Sequence, residues 1–269
     1  GIVNRLLGFV PRITLPRVIG AEGVGLYQMG YPFMILIITI ISSGVPLAVA
    51  KLVAEAESEG NERKVRAVVK LSLLVTCGLA VAFTLLCIWA APWVTTHLLT
   101  DERVYRTFVA MCPILPIVAV SGVFRGYFQG RQNMIPTAAS QVVETLVRIA
   151  AMLALAYLLL PYGVEWAAAG AMIGVVIGEL CGMFVLLSSH FRHGFGRSDS
   201  GKASGEGESR RSLLRSIFAI AVPVTGSRMV GSASYFLESI FIAQSLALAG
   251  VATAVATAQY GVLQGMVIP

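Results

Sequence analysis

Charged residues are scarce in this chain. Of its 269 residues, 13% are Asp, Glu, Lys or Arg and 57% are hydrophobic, and the mean hydropathy is +0.80. A soluble domain carries about 25% charged residues, and a water-soluble globule of this composition would expose large apolar patches and aggregate. The composition therefore excludes an ordinary soluble enzyme, a disordered chain and a coiled coil, and it leaves an integral membrane protein.

Common catalytic and metal-binding motifs are also absent from the sequence. It contains two Asp residues, Asp101 and Asp199, which are too far apart for a DxD motif, and it has no G-x-x-x-x-G-K-S/T phosphate loop. No Ser/His/Asp set stands out. The four cysteines lie in apolar segments without CxxC spacing, which indicates neither a disulfide framework nor a zinc site. We therefore expect no enzymatic activity, no cofactor and no bound metal.

Long uncharged runs indicate where the chain crosses the membrane. Residues 23–50, 71–100, 107–124 and 239–269 contain no Asp, Glu, Lys or Arg, and a helix needs about 20 apolar residues to span the hydrocarbon core. Other apolar spans carry one or two charges. The pattern predicts an all-α integral membrane protein with about eight transmembrane segments, at residues 1–18, 24–54, 65–96, 103–124, 134–160, 166–191, 212–243 and 252–269. We expect the first and last segments to be truncated and the chain to be a fragment.

Lys and Arg are concentrated in alternate loops. The loops after the second, fourth and sixth predicted segments hold thirteen of these residues, with Arg125 and Arg131 assigned to the second of these loops, and the other loops hold four. The positive-inside rule then places the N-terminus and residues 193–211 in the cytoplasm. Because the basic residues serve as topology determinants and lipid contacts, the net charge of +6 does not indicate a nucleic-acid partner.

A polar stretch divides the chain. Residues 193–211, HGFGRSDSGKASGEGESRR, are rich in Gly and Ser and predict a flexible linker. We therefore expect a six-helix lobe over residues 1–192 and the start of a second lobe over residues 212–269. Within the first lobe, glycines recur every four residues at 122, 126 and 130 and at 170, 174 and 178, which predicts close packing between helices.

Four arginines in apolar segments are candidates for binding an anionic substrate. A charge at the centre of a membrane helix costs about 2.5–3.5 kcal/mol, so it normally faces the protein interior or a wet cavity. Arg5 and Arg12 share a face of the first segment, where two prolines predict a bend. Two guanidiniums on such a helix suit a pyrophosphate. Arg17 and Arg228 are further candidates, and the alternative for Arg12 and Arg17 is that they snorkel to the outer interface.

Four other charged residues lie in predicted membrane segments. Glu144 and Arg148 are four residues apart on one helix, which predicts an ion pair that neutralises both charges. The alternative is a gate that exchanges partners between conformations. Glu179 and Glu238 are candidates for holding a coupling ion, with structural pairing as the alternative for Glu179.

Three stretches resemble a known family. They are NRLLGFVPRITLPRVIGAEGVGLYQMGYPF (Asn4–Phe33), SSGVPLAVAKLVAEAESEGN (Ser42–Asn61) and FRGYFQGRQNMIPTAASQVVE (Phe124–Glu144). They resemble the stage V sporulation protein B family, in the polysaccharide-transporter branch of the superfamily that also holds the MurJ lipid II flippases and the multidrug and toxin extrusion (MATE) antiporters. The resemblance implies two six-helix lobes facing each other across a central cavity in the bacterial plasma membrane.

The resemblance also implies transport rather than catalysis. We expect a flippase that moves an undecaprenyl-pyrophosphate-linked saccharide, a cell-wall or polysaccharide precursor, by alternating access. MurJ-type flippases resemble this chain at Arg5, whereas Arg12 is offset by about one residue. The alternative is a cation-coupled multidrug antiporter of the same fold. Those proteins use intramembrane carboxylates, often Asp, and both Asp residues here are predicted to lie in loops. Expected partners are the lipid-linked saccharide, membrane lipids and H⁺ or Na⁺, and we expect a monomer.

Overall fold

Helices make up nearly all of the described chain. The computed structural model describes residues 2–99, 101–194, 210–250 and 252–264, with side chains from residue 9 onward except at 193, 194, 243 and 247, and no strand occurs in these ranges. The α-helices in them are α1 (Ile2–Ser42), α2 (Val45–Ser58), α3 (Glu62–Trp93), α4 (Val104–Met111), α5 (Ile114–Gly130), α6 (Ile135–Leu159), α7 (Val164–Gly194), α8 (Arg210–Leu248) and α9 (Thr253–Val262). Over the described residues, six helical stretches are long and apolar enough to cross a membrane. The protein is therefore an all-α, multi-pass membrane protein.

Helix α1 contains the first predicted segment and part of the second. The sequence predicts a short connection between residues 18 and 24, but the structure has helix on both sides of a single break at Gly20. This glycine has φ 70° and ψ 177°, a conformation that residues with a Cβ rarely adopt. The chain therefore changes direction at one residue without a loop.

The second predicted segment, residues 24–54, is wrong as a single helix. It is interrupted at Ser43 and Gly44, between α1 and α2. Pro46 explains the break, because a proline inside the helix would remove a hydrogen bond to the carbonyl of Ser42 and clash with it. Pro46 lies in the first turn of α2, where a backbone N–H would have no acceptor within the helix, so proline is tolerated there.

Glycines allow the helices of the first half to approach closely. A Cβ on Gly126 of α5 would lie 2.5 Å from the carbonyl oxygen of Pro46 in α2. A Cβ on Gly174 of α7 would lie 2.4 Å from the backbone of Met152 in α6. Both contacts are too short for any side chain, so the structure confirms the packing that the four-residue glycine spacing predicts.

Helices α8 and α9 both contact α1. At the first contact of α9, a Cβ on Gly25 of α1 would lie 2.0 Å from the carbonyl oxygen of Thr257 in α9. At a contact of α8 with the break between α1 and α2, a Cβ on Gly44 would lie 2.2 Å from the carbonyl oxygen of Ala221. Residues 195–209, which hold most of the predicted linker, lie outside the described residues, so the division into two lobes stays a prediction.

Candidate functional site

Charged side chains from α5, α6 and α7 meet inside the helical bundle. Nη2 of Arg125 donates to Oε2 of Glu144 and to Oε1 of Glu179, at 3.0 Å in each case. Nη1 of Arg148 donates to Oε1 of Glu144 at 3.2 Å. These residues form a charge chain in the order Glu179, Arg125, Glu144 and Arg148. Glu144 and Arg148 are in contact at the four-residue spacing, and Glu179 also has a partner; the choice between an ion pair and a gate stays a prediction.

The carboxylates of the charge chain are more deeply buried than its guanidiniums. The side chains of Glu144 and Glu179 are 12% and 10% exposed. Those of Arg125 and Arg148 are 27% and 32% exposed. Because burying a charge is costly unless it is paired and hydrogen-bonded, the two arginines make it possible for both carboxylates to lie inside the bundle.

Arg125 was not among the candidate site residues, and its assignment to a loop is wrong. The predicted fourth segment stopped at residue 124 because the uncharged run ends there, but α5 continues to Gly130. The sequence contained one signal of this continuation. The glycine spacing of four residues runs through Gly122, Gly126 and Gly130, which indicates an unbroken helical face on both sides of Arg125.

Two tyrosines of α1 stack on each other. The rings of Tyr27 and Tyr31 have centroids 6.4 Å apart and an interplanar angle of 16°, and both side chains are half-buried. Arg12, earlier in the same helix, is exposed and forms no ion pair with the described side chains. Arg12 therefore does not join the charge chain among the described contacts.

The structure says less about Arg5 and Arg17, the other two candidate arginines of the first predicted segment. Arg5 belongs to α1, but its side chain lies outside the described residues. Arg17 is exposed, one helical turn before the break at Gly20, and forms no ion pair with the described side chains. This position near the end of a helix fits the interfacial alternative for Arg17.

The predicted residues of α8 occupy separate positions. Arg228 is exposed, and its Nη1 lies 3.4 Å from both the carbonyl oxygen and Oγ of Ser43, at the break between α1 and α2. Glu238 accepts a hydrogen bond of 3.2 Å from Nε2 of Gln264. Neither residue joins the charge chain among the described contacts.

A second polar cluster lies at the end of the bundle where α3 leads into α4. Asp101 is 3% exposed and accepts hydrogen bonds from Nη2 of Arg103 at 2.9 Å and from Oγ1 of Thr257 at 2.8 Å. Arg103 also pairs with Glu22 of α1. Burial by itself raises the pKa of Asp101, but the hydrogen bonds from Arg103 and Thr257 outweigh it and hold the pKa below its ordinary value. The cluster ties α9 to the connection between α3 and α4.

The described residues contain no group of three or more His, Cys, Asp or Glu that could hold a metal ion. The family model described as "Polysaccharide biosynthesis protein" matches residues 1–268. The chain belongs to this family. The chain is 42% identical, over 98% of its length, to Stage V sporulation protein B of Bacillus subtilis (strain 168). It is 33% identical, over 68% of its length, to Lipid II flippase MurJ of the same organism.

The chain matches only part of the length of each of these relatives. The chain spans 51% of Stage V sporulation protein B and 36% of the MurJ flippase. A solved structure, "Inward-facing conformation of a multidrug resistance MATE family transporter of the MOP superfamily", matches 94% of this chain and 56% of its own with a TM-score of 0.73 and 14% identity. At that identity the likeness shows the fold alone. The predicted family and the predicted MATE-like fold of the chain are both confirmed.

Proposed function

We propose that the chain is part of a flippase that translocates an undecaprenyl-pyrophosphate-linked saccharide, acting as a carrier and not as an enzyme. The observation that carries this proposal is the position of Arg12. It belongs to a helical stretch, Phe9–Ser58, that is long and apolar enough to cross a membrane, and its side chain is exposed and forms no ion pair with the described side chains. The 33% identity to Lipid II flippase MurJ supports the same substrate class.

The chemistry of a diphosphate suits this position. A guanidinium offers two parallel N–H groups to phosphate oxygens, and such charge-assisted hydrogen bonds are stronger than neutral ones. The lipid tail stays in the bilayer while the two lobes rock about the bound head group. A membrane potential that is negative inside favours outward movement of an anion by about 2.3 kcal/mol per charge per 100 mV. We retain Arg5, Arg17 and Arg228 as further substrate contacts in this proposal.

Coupling to H⁺ or Na⁺ is a separate part of the proposal. Glu238 is exposed and has a neutral partner, Gln264, so its carboxylate is available to a cation. Glu179 is held by Arg125 at 3.0 Å, which favours the structural alternative for this residue. Among the two candidates, Glu238 is therefore the better supported.

The multidrug antiporter of the same fold is the alternative function. Glu238 can hold the coupling ion of either function, so it does not discriminate between them. Glu144 and Glu179 share the guanidinium of Arg125, which leaves neither carboxylate free for a cation, and the positive charge of Arg12 repels a cationic drug. The charge of Arg12 therefore favours the anionic lipid as substrate.

The test uses the full-length protein in proteoliposomes. We expect Arg12→Ala to lower the rate of translocation of a fluorescent lipid II analogue at least tenfold, because one lost charge-assisted hydrogen bond costs about 1.5–3 kcal/mol. Arg66→Ala is the matched control, since Arg66 is exposed near the start of α3 and should leave the rate unchanged. Ethidium serves as the cationic substrate. Wild-type rates in Arg12→Ala, or transport of ethidium without the lipid, would overturn the proposal.

A further inference from the structure

One face of α3 carries exposed cations in its first turns and exposed apolar side chains after them. The cations are Arg63, Arg66 and Lys70. The apolar side chains are Leu74, Val81 and Leu85, which are between 51% and 68% exposed. With 3.6 residues per turn, all six positions lie within about 60° of Arg63 around the helix axis. We call these six residues the outer stripe of α3, because the opposite face is buried and packs mainly on α2 and α5.

Two tryptophans at the other end of α3 fix the depth of the outer stripe in the membrane. Trp89 and Trp93 are 81% and 57% exposed, and Trp is enriched at membrane–water interfaces. At 1.5 Å per residue, Lys70 lies about 30 Å along the helix from Trp89, which is the thickness of the hydrocarbon core of a bilayer. The three cations therefore lie at headgroup depth on one side of the membrane, and the apolar residues of the stripe lie at the depth of the acyl chains.

The cations of the outer stripe have no carboxylate of their own. Neither an ion pair nor a side-chain hydrogen bond joins Arg63, Arg66 or Lys70 to any side chain that the structure describes. The glutamates around the turn between α2 and α3 are held by other cations: Glu55 by Lys51, Glu59 by Lys64, and Glu57 and Glu62 by Arg131. The carboxylates of this corner are thus occupied elsewhere, and the stripe keeps three positive charges for an anion from outside the protein.

An anionic phospholipid matches both halves of the outer stripe. Guanidinium and ammonium groups form charge-assisted hydrogen bonds with phosphate oxygens, and basic residues at headgroup depth attract anionic lipids. The apolar half of the stripe continues directly from Lys70 and offers a surface to the acyl chains of the same lipid. A soluble anion would contact the cations alone. Basic residues that only set the topology of the chain need no common face, whereas these three share one.

We propose that the outer stripe of α3 is a binding site for one anionic phospholipid, whose phosphodiester headgroup is held by Arg63, Arg66 and Lys70. The site lies on the outside of the bundle, so its lipid is a bound component of the membrane and not the transported cargo. The inference does not depend on the proposed function, because a carrier of any substrate can bind such a lipid. Loss of Arg66 alone leaves two cations on the stripe, and Arg66→Ala remains a control for translocation.

Native mass spectrometry of the full-length protein in detergent measures how tightly single lipid molecules are bound. We expect the wild type to bind dioleoylphosphatidylglycerol at least tenfold more tightly than dioleoylphosphatidylcholine. The double variant Arg63→Gln/Lys70→Gln should raise the dissociation constant of the anionic lipid at least tenfold, because each cation near an anionic lipid contributes about fivefold in affinity. Binding of the zwitterionic lipid should not change. Lys70→Gln alone should cost about fivefold, which keeps the test decisive even if the double variant does not fold.

Two further variants separate this site from positive charge in general. Lys51→Gln/Lys64→Gln is the matched control, since it removes two cations of the same corner that are held by glutamates, and it should bind both lipids as the wild type does. Arg63→Lys/Lys70→Arg keeps the charges of the stripe and should stay within about twofold of the wild type. A wild type without preference for the anionic lipid, glutamine variants that keep the preference, or an equal loss in the matched control would overturn the site.

Discussion

Asp101 carries a buried charge that three groups of the protein satisfy. Its carboxylate accepts hydrogen bonds from the side chain and backbone N–H of Arg103 and from Thr257. Removing one partner of a buried, hydrogen-bonded charge leaves the others without compensation. Asp101 therefore contributes to stability as an ion, and the contribution depends on pH.

We expect Asp101→Asn to lower the free energy of unfolding by about 1–3 kcal/mol at pH 7, measured as thermal unfolding of the detergent-solubilised full-length protein. The folded-state pKa of Asp101 lies below its ordinary value, which is about 3.9 in the unfolded chain. The contribution is therefore complete above about pH 4 and declines as the pH falls through the folded-state pKa. The difference between wild type and variant should be constant from pH 7 to 5 and shrink below 4. Glu102→Gln, at the exposed neighbouring position, is the control and should show neither effect.

Sequence reasoning reached only part of the charge chain. The pair of Glu144 and Arg148 was predictable because a spacing of four residues places both on one helical face. The bond from Arg125 to Glu179 joins residues that are 54 positions apart, and no local pattern encodes which helices lie side by side. The end of α5 was misplaced for a related reason. In a sequence, the first charged residue after an uncharged run indicates the end of a membrane helix. Only the structure shows that such a charge lies inside the helix, paired with a residue of another helix.

At the scale of the helices, the breaks were harder to predict than the helices themselves. Long uncharged runs indicate α1, α3 and α5 because few other structures accommodate them. The break at Gly20 left no loop-like composition, since one glycine with positive φ is enough. The break before Pro46 had a visible cause, but a proline kink and a full interruption give the same sequence signal.

Helix α7 packs so closely on α6 at Gly174 that we expect even a methyl group there to destabilise the protein. A Cβ at Gly174 would lie 2.4 Å from the backbone of Met152, and backbone cannot move aside as a flexible side chain can. We expect Gly174→Ala to destabilise the protein by about 1–3 kcal/mol, as overpacking does, despite the higher helix propensity of alanine. Gly78→Ala in α3 is the matched control, because apart from its own stretch of helix backbone no atom lies within 4 Å of its Cβ position, and it should be neutral or stabilising. The melting temperatures of both purified variants test this, and equal values would contradict it.

At the scale of the whole molecule, α9 joins two parts that the sequence assigns to different lobes. Thr257 of α9 donates to Asp101, and Gly261 of α9 lies against α1, where a Cβ would be 2.2 Å from the carbonyl oxygen of Ala21. In the proposed transport cycle, motion of one predicted lobe against the other separates these contacts on the side of the membrane that contains Asp101. The strength of the bond between Asp101 and Thr257 should therefore influence how often that side opens.

We expect Thr257→Val to favour opening of that side, because it keeps the side-chain volume and removes the hydroxyl that bonds to Asp101. Val24, 3% exposed beside the α1–α9 contact, is the reporter position. In Val24→Cys protein, labelling by a membrane-impermeant maleimide should be about fivefold faster with Thr257→Val, since a net hydrogen bond contributes about 1 kcal/mol. Protein that carries the same threonine variant but lacks Val24→Cys measures the background labelling of the native cysteines. Thr253→Val, at the exposed first residue of α9, is the matched control. Equal labelling in the two threonine variants would show that α9 is held by its backbone contacts with Gly25 and Gly261, and that the hydroxyl bond has no part in closing this side.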